Sequence, residues 1–276
     1  MAAAPSVDRH YASPGIAERI LAALRAANGA AAPVNPETLA PIDHFHGRGV
    51  VATEELVVLL DPQPGERILD IGSGIGGPAR WIAAKRGCHV TGVDLTAEFC
   101  DAARALNAAT GMADRVTIID GSALDLPVPD ASFDRAYSQN VVMNIADKTR
   151  CYREAFRVLR PGGVLAMSNI CAGEGGEIYF PVPWAATPTT SFLATPEETR
   201  ADLAEAGFEI VSFRDTSDGL LPAIIRDRER VERDGLPPLG IHLIMGERIR
   251  EMRINSARNA EDGRVRSIEA LVRKPG

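Results

Sequence analysis

Two rhythms of apolar residues run along this chain. From Gly65 onward, short apolar runs alternate with segments whose apolar positions recur every three or four residues, the pattern of β-strands followed by amphipathic helices. ERILDIG reads as a buried strand, and PARWIAAKRG as a helix with Pro78 in its first turn and Gly87 as its stop. HVTGVDL is a second strand. TAEFCDAARALNAATG then reads as a helix capped by Thr96 and closed by Gly111, with Phe99, Ala103 and Leu106 on one face. RVTIIDG and SFDRAYSQNVV give two more strands. DKTRCYREAFRVLRPGG is a helix starting at Asp147 and stopped by Pro-Gly-Gly, and VLAMSNI is a fifth strand. Strand-helix alternation of this kind predicts an α/β fold, a doubly wound and mostly parallel sheet, over residues 65–170.

Three segments break the alternation and are expected to be helical cap segments on that core. Residues 1–60 hold one apolar-rich helix, GIAERILAALRAA, a Pro-punctuated loop, and the helix VATEELVVLL. Residues 171–195 are too long and too rich in Gly, Pro and aromatics for a plain connection. Residues 216–262 separate FEIVSFRDT from VRSIEALVRK, two strand-like runs that would otherwise be neighbours. Ligand sites in open α/β sheets form outside the carboxyl ends of the strands, so the three are expected to meet there. No internal repeat or low-complexity linker divides the chain, and 1–276 reads as a single domain.

Composition narrows the function classes. The chain of 276 residues has 45% hydrophobic and 24% charged residues, as ordinary globular enzymes do. Its net charge of -7 argues against nucleic acid, which needs clustered Lys and Arg. Cys88, Cys100, Cys151 and Cys171 are dispersed, which suggests neither a disulfide framework nor a metal site and favours a cytoplasmic location. No apolar run approaches the roughly 20 residues of a membrane span, so no membrane partner is expected. Nothing in the sequence sets an oligomeric state.

In RILDIGSGIGGPARW, Gly72, Gly74 and Gly77 fall on the G-x-G-x-x-G spacing of a dinucleotide turn. Such a turn sets pyrophosphate against helix N-terminal N–H groups, but Asp70 stands two residues before Gly72. A carboxylate there repels phosphate and attracts an ammonium or sulfonium. S-adenosylmethionine, a sulfonium without phosphate, meets that need. Asp94 ends GVDL about twenty residues past Gly74 and is placed to accept ribose hydroxyls, which suits NAD equally well.

Taken together, LDIGSGIGG, GVDL, DGSALDLPVPDASFD, SQNVVMNI and VLRPGGVLAMSN resemble the class I S-adenosylmethionine-dependent methyltransferases, in order and spacing, across most of residues 65–170. The resemblance implies a Rossmann-like methyltransferase fold. HGRGVVATEEL and PVPWAATPTTSFL are similar to the small-molecule subgroup with sarcosine and dimethylglycine N-methyltransferases. Carried onto this chain, it implies that Asp70, Gly72, Ser73 and Gly74 hold the methionine end of the cofactor, and Asp94 with Leu95 the ribose and adenine side. Ser122 and Ala123 flank the adenine, although many relatives have Asp where Ser122 stands. Gln139 and Asn140 contact the cofactor near its reacting end, and relatives often show His in place of Asn140.

Methyl transfer from a sulfonium is an in-line displacement in which positioning and desolvation supply most of the rate. An amine acceptor needs no base; an oxygen or carbon acid needs a proton removed. His44 and His46, in DHFHGRG, are the candidate catalytic bases. Tyr11, Trp184 and His242 are candidates for binding the acceptor. The expected activity is methylation of a small molecule, with an amine placed ahead of other acceptors on the narrower likeness alone. A C- or O-methyltransferase of an apolar metabolite is the alternative within the class. A nicotinamide-dependent oxidoreductase and a non-catalytic binding module stand outside it.

Overall fold

The computed structural model describes residues 14–44 and 46–276. Seven strands form one sheet in the order β3-β2-β1-β4-β5-β7-β6. They are β1 (Arg67–Ile71), β2 (His89–Asp94), β3 (Val116–Asp120), β4 (Phe133–Gln139), β5 (Leu159–Ala172), β6 (Glu209–Asp215) and β7 (Val265–Arg273). The first five run parallel, whereas β7 pairs antiparallel with both β5 and β6. The helices are α1 (Ile16–Asn28), α2 (Pro36–Asp43), α3 (Gly49–Leu60), α4 (Gly77–Arg86), α5 (Ala97–Ala109), α6 (Lys148–Val158), α7 (Pro196–Glu205), α8 (Ser217–Asp234), α9 (His242–Met245) and α10 (Ile249–Glu261).

The period-two pattern divides each strand between two cores. In β5, Leu165 and Met167 join Tyr152 of α6 and Leu203 of α7 on one face. Val164 and Ala166 join Leu56 of α3, Ile82 of α4 and Ala103 of α5 on the other. A third core ties the first cap segment to the sheet domain, with Ile20, Leu39 and Ile42 packed against Ile75, Phe99 and Leu106.

Several local expectations change. The Pro-punctuated loop contains α2, since Pro36 sits where a helix needs no N–H and Asn35 and Thr38 cap it reciprocally. TPEETRADLAE, given no element from its pattern, forms α7 with a Thr195/Glu198 capping box. Thr96 precedes α5 but makes no side-chain cap bond; its N–H instead donates to Asp94 Oδ1 at 2.9 Å. Helix α6 ends at Val158, and Pro161 and the glycines after it already belong to β5.

Candidate active site

Parallel strands deliver their carboxyl ends to one side of the sheet, and a cavity of about 910 Å³ opens there. Its lining includes residues from all three cap segments: 41–52, 183–192 and 216–259. The sheet contributes Asp70, Gly72, Ser73, Gly74, Asp94, Leu95, Ser122, Ala123, Gln139 and Asn140, every cofactor residue expected from the sequence. Trp184, His44 and His46 also line it. His242 does not, although its neighbours Gly240, Ile241 and Met245 do. Tyr11 lies outside the described residues.

The glycine turn is shaped by contact as well as by dihedral. Gly72 has φ +78, and a Cβ there would come within 2.4 Å of Val141. Behind the turn, Asp70 is buried and its Oδ2 has no hydrogen-bond partner. Burial pushes this carboxyl up to about 7, the Tyr137 hydroxyl beside it pulls the other way, and the Asp94 charge adds to the rise. The Ser73 hydroxyl is likewise buried without a partner. An unpaired acid and hydroxyl beside a side-chain-free cradle fit the ammonium end of S-adenosylmethionine. Asp94 accepts from the Gly74 N–H at 2.7 Å and from Thr96, which fixes its carboxylate and leaves lone pairs for ribose hydroxyls. Leu95, 55% exposed, presents an apolar surface at the adenine side. Ser122 is occupied in its own turn, its Oγ accepting from Leu124 N–H. Asn140 takes a left-handed backbone, φ 57, at the end of β4, with its N–H donating to the Ser168 carbonyl.

The two histidines meet over Thr53, a fully buried polar residue in the apolar run of α3. Its hydroxyl donates to Gln139 Oε1 at 3.2 Å and lies 2.9 Å from His44 Nδ1 and 3.2 Å from His46 Nε2. With the hydroxyl proton given to Gln139, His44 meets Thr53 as an Nδ1–H donor. The tautomer, assigned from this pattern, leaves His44 Nε2 a bare acceptor; it is buried and has no partner. His46 Nδ1 lies 3.3 Å from the Gly47 carbonyl, so its proton has two places to go. Burial holds both imidazoles neutral, His44 down to about 3 with help from the charges of His46 and Arg80, and His46 down to about 4.

What places His44 is a buried ion pair. Arg80 and Asp43 are 0% and 1% exposed, with Nη2 to Oδ1 at 2.6 Å and Nε to Oδ2 at 3.2 Å, and Arg80 Nη1 also donates to Asn107. Burial raises the Asp43 carboxyl, which the guanidinium opposes. The helices meet closely at this point, for a Cβ on Gly77 would lie 2.1 Å from the Asp43 carbonyl. The sequence reading missed Thr53, Arg80 and Asp43; the visible signal was a polar residue on the buried face of an apolar helix.

Much of the remaining lining is apolar. Met143 and Ile170 come from the sheet side, Trp184 from the second cap segment, and Leu220, Ile224, Ile241 and Met245 from the third. Trp184 donates its indole N–H to Ser191 Oγ at 3.0 Å, which fixes the ring against Met143 and Val265.

Residues 69–167 match the family described as Methyltransferase domain. Methyltransferase GfsG of Streptomyces halstedii is 32% identical over 184 residues, 66% of each chain. The sarcosine/dimethylglycine N-methyltransferase of Halorhodospira halochloris is 30% identical over 62% of this chain and 61% of that one. The matched stretch spans 31% and 36% of two other relatives' length, and under two-thirds or about two-thirds of those named. Among solved structures, the [4+2]-cyclase SpnF superposes with a TM-score of 0.70 over 99% of this chain and 98% of its own, at 23% identity, which is a likeness of fold. Other structures of the same fold hold S-adenosylmethionine or S-adenosylhomocysteine. Sheet order, glycine turn, strand-end carboxylates and sequence likeness agree, and the chain belongs to the class I S-adenosylmethionine-dependent methyltransferases.

Proposed function

We propose that the protein methylates a small molecule with a largely apolar body. One observation carries the reading: the cavity holds a buried carboxyl, Asp70, whose Oδ2 has no hydrogen-bond partner, together with many apolar side chains in the same lining. Its volume lies near the upper end of the roughly 300–1,000 Å³ of small-molecule sites, room for a cofactor and a second molecule together.

When bound, S-adenosylmethionine supplies an electrophilic methyl group on a good leaving group. Asp70 takes the ammonium of its amino-acid end, the backbone around Gly72 and Gly74 lets that end approach closely, and Asp94 orients the ribose. Arg48 enters the cavity beside the histidines, paired with Glu55, and adds positive charge for a carboxylate. The apolar wall excludes water from the acceptor. His44, with Nε2 free of any partner, is the candidate base for an oxygen or carbon acid, and burial lowers its basicity until an acceptor meets it.

An amine acceptor is the second reading, supported by the likeness to N-methyltransferases. An amine with an apolar body would lie against Leu220, Ile224 and Trp184 of the lining. Incubating metabolite pools with methyl-labelled S-adenosylmethionine and identifying labelled products by mass spectrometry tests both. Labelled apolar products are expected, and label confined to small polar amines would replace the first reading by the second. By calorimetry the protein should bind S-adenosylhomocysteine and not NAD; the reverse would sink the cofactor assignment.

A further inference from the structure

Helix α8 is graded along its length. It leaves the sheet at Thr216, whose N–H donates to the Ser267 carbonyl, so its first turns lie beside the strand ends. Leu220 and Ile224, one turn apart, face the cavity from this half; Asp227, Arg228 and Arg230 face it from the next. At 1.5 Å per residue, the charged half begins about 10 Å farther from the sheet than Leu220. Arg253, from α10, joins it there, with Nε 3.3 Å from Asp227 Oδ2. Arg230 also pairs with Asp227, at 2.5 Å. One carboxylate thus serves two guanidiniums. Arg228 has a long contact, 3.9 Å, to the exposed Glu232. Arg253 Nη1 is buried and has no hydrogen-bond partner.

Arg253 is partly exposed and its Nε contacts Asp227, but its Nη1 has lost water without gaining an acceptor, which is costly for a charged donor. A carboxylate or phosphate satisfies such a fork with two parallel N–H bonds. The geometry points to an anion subsite formed by Arg253, with Arg228 and Arg230, at the end of the cavity away from the glycine turn, so that the acceptor is an apolar molecule carrying a carboxylate or phosphate. This rests on the methyltransferase reading and specifies its acceptor. The anionic end docks on α8 and α10, the apolar body lies along Leu220 and Ile224, and the other end reaches the histidines and Gln139.

The test uses octanoate, octyl phosphate and 1-octanol as probes of one chain length, titrated by calorimetry into the full-length protein saturated with S-adenosylhomocysteine. At least one anion should bind roughly tenfold or more tightly than the alcohol, the scale of a charge-assisted hydrogen bond. Whichever anion is preferred identifies the head group. Arg253→Gln should remove that preference while affinity for S-adenosylhomocysteine and for 1-octanol stays the same. Arg228→Gln, at a partly exposed residue of the cavity lining, should reduce the preference in part and guards against misfolding of the first variant. Equal binding of anions and alcohol, or a preference that survives in Arg253→Gln, would overturn the subsite and leave the methyltransferase reading intact. Failure of S-adenosylhomocysteine to bind would overturn both.

Discussion

Asp70 should couple cofactor binding to pH. Its carboxyl, raised to about 7 from an ordinary 3.8, holds its proton in the folded protein through a range in which the unfolded chain has released it. Taken alone, it makes the unliganded fold less stable as pH rises from about 4 to 7, with no further change above. His44 and His46 act in the opposite sense. Their depressed values mean that the unfolded chain takes up protons first as pH falls below 6.5, so their contribution is intact above that value and is lost toward 4 and 3. Stability therefore mixes two opposing slopes, and ligand binding isolates Asp70. A bound ammonium favours the carboxylate, so S-adenosylhomocysteine should bind progressively more weakly as pH falls from 8 to 5.5. Asp70→Asn should bind weakly and without that slope. A flat wild-type profile by calorimetry would separate Asp70 from the ammonium.

At the same scale, replacing His44 by Gln separates the acceptor classes. For an oxygen or carbon acid whose proton His44 removes, turnover should fall by roughly 10²–10⁴, as for a lost general base, with cofactor affinity unchanged. A mild effect of both His44→Gln and His46→Gln would mark an amine. In that case the rate should follow the acceptor's own ionisation as pH rises.

At the scale of elements, the Arg80–Asp43 pair fastens α2 to α4 and with it the start of the histidine segment. Removing one partner strands the other without water, which costs about 3–5 kcal/mol for a buried pair. Arg80→Leu should lose stability on that scale in urea unfolding, and Arg80→Met with Asp43→Leu should recover much of it. Equal losses in single and double variants would mean that the packing, rather than the stranded charge, decides the cost. The strands and most core helices were legible because their signals are local: alternation in Leu165 to Met167, Pro78 and Gly87 at the ends of α4. Helix α2 was obscured by its prolines, although Pro36 begins it. The strand-end residues were legible for the same reason as the strands, since Gly72 and Asp94 act where the backbone turns. Thr53 and Arg80 depend on partners that folding brings from 86 and 37 residues away, Gln139 and Asp43, and no local pattern announces them.

Over the whole molecule, the division of labour is spatial. The carboxyl ends of the parallel strands line one part of the cavity, and cap residues from 41–52, 183–192 and 216–259 line the rest. Among the described residues, no helix is long and apolar enough to cross a membrane. Helix α8 stands out among the cap elements. None of its residues is fully buried; its main contacts are with α10 and β7, and Leu220 packs partly buried beside Trp184. Pro222 lies within it and has no N–H to give, so the carbonyl of Asp218 lacks its usual partner one turn on.

A helix held so lightly opens by itself more often than the core does. Its amide hydrogens should trade with deuterium well before those of α4 or α6. An acceptor lying along Leu220 and Ile224 would give α8 the interior it lacks, so the exchange of this one helix should slow when acceptor is added to the cofactor-loaded protein. Equal exchange with and without acceptor would deny α8 contact with it. Where slowing occurs, the acceptor supplies the surface against which α8 packs, and the exchange of one helix becomes a direct readout of an occupied cavity.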